Sequence, residues 1–226
     1  MAIFVSASLL EDFLSCNRKV HYRLEKSESA IQSREMIIGE VVHKALELFW
    51  NNYEGAIGHC TAHLQERLPG DIAALPTAFS NLDNYFRNFY PLLFPNDRVE
   101  ARFKIKLSDD IYVVGKMDRV TENGAIFDWK TTANPPKYVS GSVQLALYSW
   151  AYRQLYHKFP AGVYFAYLST GKLMKYDHDS TAESSLLNDL IPDLVATIRR
   201  KEFIRNGIFK RTCHGCAYSE TCLGRS

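Results

Sequence analysis

Asp128 and Lys130 stand two residues apart in the run Phe127-Asp128-Trp129-Lys130-Thr131-Thr132. Alternate residues of a strand share a face, so in extended backbone this carboxylate and this ammonium point the same way, beside Ile126. Phe127, Trp129 and Thr131 then take the opposite face, which is apolar enough to pack. Such a pair can do linked work at a strand end. The carboxylate can hold a divalent cation, and the lysine can orient or deprotonate a water or meet negative charge growing on a phosphate.

A second carboxylate, Asp118, lies in Gly115-Lys116-Met117-Asp118-Arg119. Asn123-Gly124 follows, the dipeptide of a tight hairpin. Antiparallel pairing across that turn brings Asp118 near Asp128. Two carboxylates at one place repel unless a cation lies between them. An imidazole comes from Gly39-Glu40-Val41-Val42-His43, on a helix with Glu47 one turn after His43. Downstream, Gln144-Leu145-Ala146-Leu147-Tyr148 sets Gln144 and Tyr148 on one helix face. Each signal taken singly also fits a surface ion pair or an ordinary amphipathic helix.

Cys213, Cys216 and Cys222 crowd the end of the chain, and Cys16 and Cys60 complete the five. An odd count argues against a disulfide framework. Three thiolates at this spacing suit a metal or a cluster. Structural zinc favours two Cys-x2-Cys knuckles, and only one is present. His214 sits inside that knuckle, where its side chain is expected to point away, so the residues leave Cys16 and Cys60 open as the fourth ligand.

The elements that must position these groups read as follows. Helix is expected over residues 8–24, with Ser8 and Glu11 at capping-box spacing, and again from Ser33 to Trp50. A punctuated helical insertion follows over 54–95. Val99 to Leu107 alternate apolar and charged residues as a half-buried strand, with Ile111–Val120 and Ala125–Thr132 as its neighbours. A helix over 142–156, strands at 162–169 and 172–176, and a last helix from Thr181 to Arg205, kinked at Pro192, complete the pattern. The fold class is α/β, with a mixed central sheet flanked by helices. One domain spans 1–226: a His-motif helix at 33–53, the insertion at 54–96, a core at 97–180 and a cysteine region at 206–226 plus Cys16.

Composition sets the bounds. Hydrophobic residues make up 46% and charged residues 23%, an ordinary globular balance. No apolar run reaches the roughly 20 residues of a membrane helix. The apolar start lacks a basic lead-in and meets Glu11 and Asp12 at once, so no signal peptide is read and a cytoplasmic location is expected. Net charge is only +2. Basic residues nonetheless gather at Arg18, Lys19, Arg23 and Lys26 and again from Arg199 to Arg211, clusters that can follow phosphates or simply form a solvated face.

The ordered set Gly39-to-His43, Gly115-to-Arg119, Asp128-to-Lys130 and Gln144-to-Tyr148 resembles the RecB-like branch of the PD-(D/E)XK nucleases and spans nearly the whole chain. The resemblance implies a restriction-endonuclease-like core and a metal-dependent deoxyribonuclease, an exonuclease on single-stranded DNA or DNA ends. It implies that His43, Asp118 and Asp128 ligate Mg2+ or Mn2+ and that Lys130 is catalytic. Gln144 and Tyr148 would contact DNA or support the site, and Glu100 would support it. The cysteines resemble the iron–sulfur subset of that branch, which includes AddB-type subunits and CRISPR-associated exonucleases. That likeness selects Cys16 with Cys213, Cys216 and Cys222 for a 4Fe–4S cluster and leaves Cys60 aside. The partners it implies are DNA and, as a protein partner, a helicase, integrase or recombination protein, with no membrane. The alternatives are a non-catalytic DNA-binding adaptor on the same fold and a zinc-stapled structural protein.

Overall fold

The computed structural model describes residues 2–25, 32–213 and 216–224. Lys26 and His214, named above, lie outside the described residues. The chain forms two compact units, one of residues 1–32, 103–115 and 178–226, the other of 33–102 and 116–177.

The second unit carries the long helices and most of the sheet. Helix α3 (Arg34–Leu48) starts where the Ser33 side chain accepts from the Met36 amide, with Glu35 favourably placed in its first turn. Helices α4 (Tyr53–Arg67) and α5 (Ala74–Asn84) follow, and α5 runs into a wider π-helical turn over Tyr85–Phe89. Their apolar faces close on one side of strand β4 (Ala125–Lys130). Phe127 and Trp129 lie in that core with Val42, Ala45, Leu82 and Phe89. The Tyr85 ring meets Trp129 edge-on at 5.3 Å, and Phe127 stacks on Tyr164 at 5.2 Å. The alternation read in the sequence therefore sorts β4 as expected, with its aromatic face inward and Asp128 and Lys130 on the other.

Strands β2 (Arg98–Ser108) and β3 (Ile111–Val120) each pass through both units. Within the second unit, β3 pairs antiparallel with β4, Arg119 opposite Phe127 and Val120 opposite Ile126. The turn between them uses Gly124 at φ +86, and the Thr121 amide and hydroxyl close on the Ala125 carbonyl. Helix α6 (Val143–Tyr156), capped by Ser142, crosses over to β5 (Gly162–Tyr167), which pairs parallel with β4. Strand β6 (Lys172–Tyr176) returns antiparallel to β5.

In the first unit, β1 (Ile3–Val5) pairs parallel with the start of β3, Ile3 opposite Ile111. The ladder order is β1-β3-β4-β5-β6, with β2 on β3. This is the mixed α/β sheet expected, with β1 added. Gly115 is needed because the Phe103 ring lies where a Cβ would be, about 2.3 Å away.

The single helix expected over 8–24 is two, α1 (Ala7–Ser15) and α2 (Asn17–Leu24), broken at Cys16 in extended backbone. Ser6 rather than Ser8 caps α1, its side chain accepting from the Leu9 amide. The last helix is also shorter than expected. A short α7 (Ser180–Ser185) leads into a π-helical turn over Leu186–Leu190, and α8 (Ile191–Arg200) holds Pro192 in its first turn, where a missing N–H does no harm. α8 stops because Lys201 turns left-handed at φ +58 and the Glu202 amide bonds the Thr197 carbonyl. No glycine marks that stop, so the sequence pattern runs through it. A last short helix, α9 (Ser219–Leu223), carries Cys222. No helix among the described residues is long and apolar enough to cross a membrane.

Candidate active site

Asp118 and Asp128 face each other across β3 and β4, one pair beyond Arg119 and Phe127. Both are buried. Asp118 Oδ2 accepts the Trp129 backbone N–H at 2.8 Å, so the amide between Asp128 and Lys130 fixes the other carboxylate. Burial, and then the charge of Asp128, push the Asp118 carboxyl well above the usual carboxylate range.

Asp128 is held from two sides. Its Oδ1 accepts from Gln144 Nε2 at 2.7 Å, and its Oδ2 lies 2.7 Å from Lys130 Nζ. Lys130 Nζ also donates to Gln144 Oε1 at 2.7 Å and sits 4.5 Å from the centre of the Phe165 ring. Gln144 therefore bridges the carboxylate and the ammonium with both ends of one amide. Its Nε2 also reaches the Tyr148 hydroxyl at 2.9 Å. That hydroxyl donates to the Lys116 carbonyl at 2.6 Å, and burial with nearby Asp128 keeps it protonated. The four-residue spacing on α6 thus brings both side chains to the Asp128–Lys130 pair.

His43 enters from α3. Gly39, one turn earlier, lets that helix approach the end of β4: a Cβ there would stand 2.9 Å from Thr131 Oγ1. His43 Nδ1 is 3.4 Å from Asp118 Oδ2. Burial lowers the basicity of the imidazole, with Asp128 opposing and Lys130 reinforcing that shift, although a third of the side chain remains exposed.

Glu100 takes a position that simple alternation hides. Its backbone is left-handed at φ +53, which takes this residue out of the regular strand and leaves its carboxylate nearly covered beside the Lys116 ammonium. His43, Glu100 and Lys116 border a cavity of about 790 Å3 whose remaining wall comes from α3 and α4. The sequence reading missed Lys116, and it missed His59 and His63, which also line this cavity; only the His-x3-His spacing could have signalled the pair. Glu47 is there too, paired with Lys44 at 2.8 Å.

Arg119 is a structural residue. It is 1% exposed, its Nε donates to Asp97 Oδ2 at 3.0 Å, and its guanidinium lies 4.1 Å from the centre of the Trp50 ring. Asp118 and Arg119 are both buried, so neither belongs to a surface ion pair.

The expected metal ligands His43, Asp118 and Asp128 are neighbours. Yet among the described residues no three His, Cys, Asp or Glu side chains stand in an arrangement that would hold a metal ion. Lys130 occupies the Asp128 Oδ2 side, and the Trp129 amide occupies Asp118 Oδ2. The two buried carboxylates still suit a hard cation, with Asp118 raised by burial first and then by Asp128, and the His43 imidazole beside them is a softer donor.

In the first unit, Cys16, Cys213, Cys216 and Cys222 border one small cavity, with Tyr22 and Tyr218 stacked at 5.1 Å beside it. Backbone and side-chain bonds fasten the tail there. Thr212 Oγ1 donates to the Ser15 carbonyl at 3.2 Å, and the Asn17 amide donates to Asn206 Oδ1 at 2.9 Å. Cys60 belongs to the second unit and is fully buried in that unit's core. Part of the basic charge is already matched: Lys19 and Arg23 face Asp12, and Arg199 meets Asp110 at 2.7 Å.

A family model for the PD-(D/E)XK nuclease superfamily matches residues 5–223. The chain belongs to that superfamily, and so is a nuclease, a phosphodiester hydrolase. It is similar in fold to the crystal structure of a candidate exonuclease from Eubacterium rectale, at TM-score 0.64 and 16% identity over 89% of this chain and 83% of that one. It is also similar to the structure of SSO0001, at TM-score 0.50 and 14% identity over 99% and 87%. No curated protein matches.

Proposed function

We propose that this chain, read as one nuclease domain over 1–226, is a Mg2+- or Mn2+-dependent deoxyribonuclease of the RecB-like branch, an exonuclease on single-stranded DNA or DNA ends. The observation that carries this reading is the circuit of two hydrogen bonds and one ion pair that joins Asp128, Lys130 and Gln144 beside Asp118. A decayed, purely binding relative has no need to keep an ammonium and two buried carboxylates together at that cost. His43, Asp118 and Asp128 would hold the cation, once Lys130 gives up its contact with Asp128. When bound, such an ion neutralises a phosphate and acidifies a water. The chain's own part is to hold Lys130 where it meets the charge growing on the phosphate, and to fix Asp128 through Gln144 and Tyr148. The structural neighbour from Eubacterium rectale, itself named as a candidate exonuclease, agrees with this reading.

The four cysteines bordering one cavity support a cluster or metal there, and a 4Fe–4S cluster is the reading adopted, with Cys60 excluded. A helicase, integrase or recombination protein is the partner class this reading carries, in the cytoplasm. End-labelled single- and double-stranded DNA incubated with Mg2+ or Mn2+ tests the activity. Release of short products from one end is expected. Intact DNA under every metal condition, with a folded protein, refutes the reading.

A further inference from the structure

The cavity beside His43 carries a feature the nuclease chemistry does not use. Helix α4 gives Ala56, Cys60 and Leu64 to the core. On its adjoining face, His59 and His63 fall one turn apart and both line the cavity. Their ring centres are 4.2 Å apart, with the planes tilted by 46°. Side chains at i and i+4 are neighbours on a helix, so two imidazoles here can offer nitrogen to a single ion.

The surroundings favour a cation. The basic side chains of the wall are engaged, Lys44 with Glu47 at 2.8 Å and Arg67 with Glu40 at 2.9 Å. Glu66 stands 3.9 Å from His63 Nδ1 and adds negative charge beside the pair. His59 is pushed towards its neutral, ligating form by burial first, then by His63 and Lys44. Cys60, one residue on, has its thiol pushed up to about 12 by burial, which leaves it without thiolate to compete.

We propose that His59 and His63 form a binding site for a borderline transition-metal dication of the Zn2+ and Ni2+ class, separate from the Asp118–Asp128 centre. Imidazole nitrogen selects such ions over Mg2+, which takes oxygen. No third side chain joins the pair among the described residues, so water completes the shell and the affinity is modest. The proposal does not depend on the nuclease reading.

The test is calorimetric titration of the full chain, purified without oxygen, with Ni2+ in excess Mg2+, which offers the carboxylates an oxygen-seeking competitor. One event with a dissociation constant of roughly 10 to 100 µM is expected in the wild type. It should weaken at least tenfold in His59→Gln and in His63→Gln and vanish in the double variant. Cu2+ added to the wild type should show nitrogen coupling from two imidazoles by electron paramagnetic resonance, and the double variant should not. Both side chains face the cavity, so thermal melts of the variants should match the wild type and keep the comparison valid. An unchanged Ni2+ isotherm in the double variant overturns the proposal, as does a two-imidazole Cu2+ signal that survives it.

Discussion

Asp118 reaches from β3 to take the Trp129 amide of β4 at 2.8 Å, while the Trp129 side chain packs on the opposite face against Tyr85 and Phe127. One residue thus ties the carboxylate to the core. Asparagine at 118 keeps an oxygen for that amide but removes the charge. The carboxyl of Asp118 is raised in the fold, so the native state holds its proton more tightly than the unfolded chain does. Its contribution to stability is greatest in acid, below the ordinary carboxylate value of 3.8, and falls as pH rises through the raised value. Asp118→Asn should therefore melt higher than the wild type near neutral pH in EDTA, with the gap closing in acid. Melts across a pH series check this, and the same variant should fail to cleave DNA. A gap that widens towards acid would contradict the charge argument.

Gln144 is proposed as a positioning residue, because it touches both Asp128 and Lys130. Removing its three hydrogen bonds by Gln144→Ala should lower kcat roughly 10–100-fold, the range for groups that hold a metal ligand in place. Gln144→Glu should be worse than alanine, because the Nε2 donor to Asp128 Oδ1 becomes a third carboxylate. A purely structural role predicts the reverse order, since glutamate fills the space better. Single-turnover rates with melting curves for both variants separate the two.

Arg119 and Asp97 form an ion pair with side chains 1% and 0% exposed. Asp97 also accepts the Phe94 and Glu122 amides at 2.9 Å each. Arg119→Ala leaves that carboxylate buried and uncompensated, at a cost of about 3–5 kcal/mol. Denaturant titration measures this. Cleavage per folded molecule should change little, because no atom of Arg119 joins the Asp118–Asp128 cluster.

The parts of this arrangement legible in sequence are those set by local rules. Period-two alternation sorted β4, Asn123-Gly124 gave the turn, and four-residue spacing put Gln144 with Tyr148. The parts that escaped depend on tertiary contacts or on unsignalled backbone. Lys201 ends α8 in a left-handed turn without glycine, so the basic run to Arg211 is not one helical face. Glu100 leaves the strand pattern through its positive φ. β1 is three residues long, too short for a periodic signal. Arg119 reads as surface beside a turn until Asp97 and Trp50 enclose it.

The cysteines give the final test. Cys16 sits at the break between α1 and α2, where extended backbone turns the chain towards the cavity it shares with Cys213, Cys216 and Cys222. The tail is fastened there by Thr212 to Ser15 and by Lys210 to the Leu14 carbonyl at 2.6 Å. A ligand shared by Cys16 and the tail cysteines closes a loop across most of the chain, worth on the order of 4 to 5 kcal/mol in the chain-entropy account of cross-links. Cys16→Ser should therefore lose iron and colour and lower the melting temperature, and so should each tail variant. Cys60 is different in kind: it is fully buried in the α3–α5 core, with its thiol pushed up to about 12. Cys60→Ser should keep full iron, and native Cys60 should resist iodoacetamide at pH 8 while it reacts after unfolding. Iron and zinc analysis of the five single variants, purified without oxygen, decides the matter. Full iron in Cys16→Ser, or iron lost with Cys60, removes the assignment; zinc in place of iron keeps the four ligands and replaces the cluster.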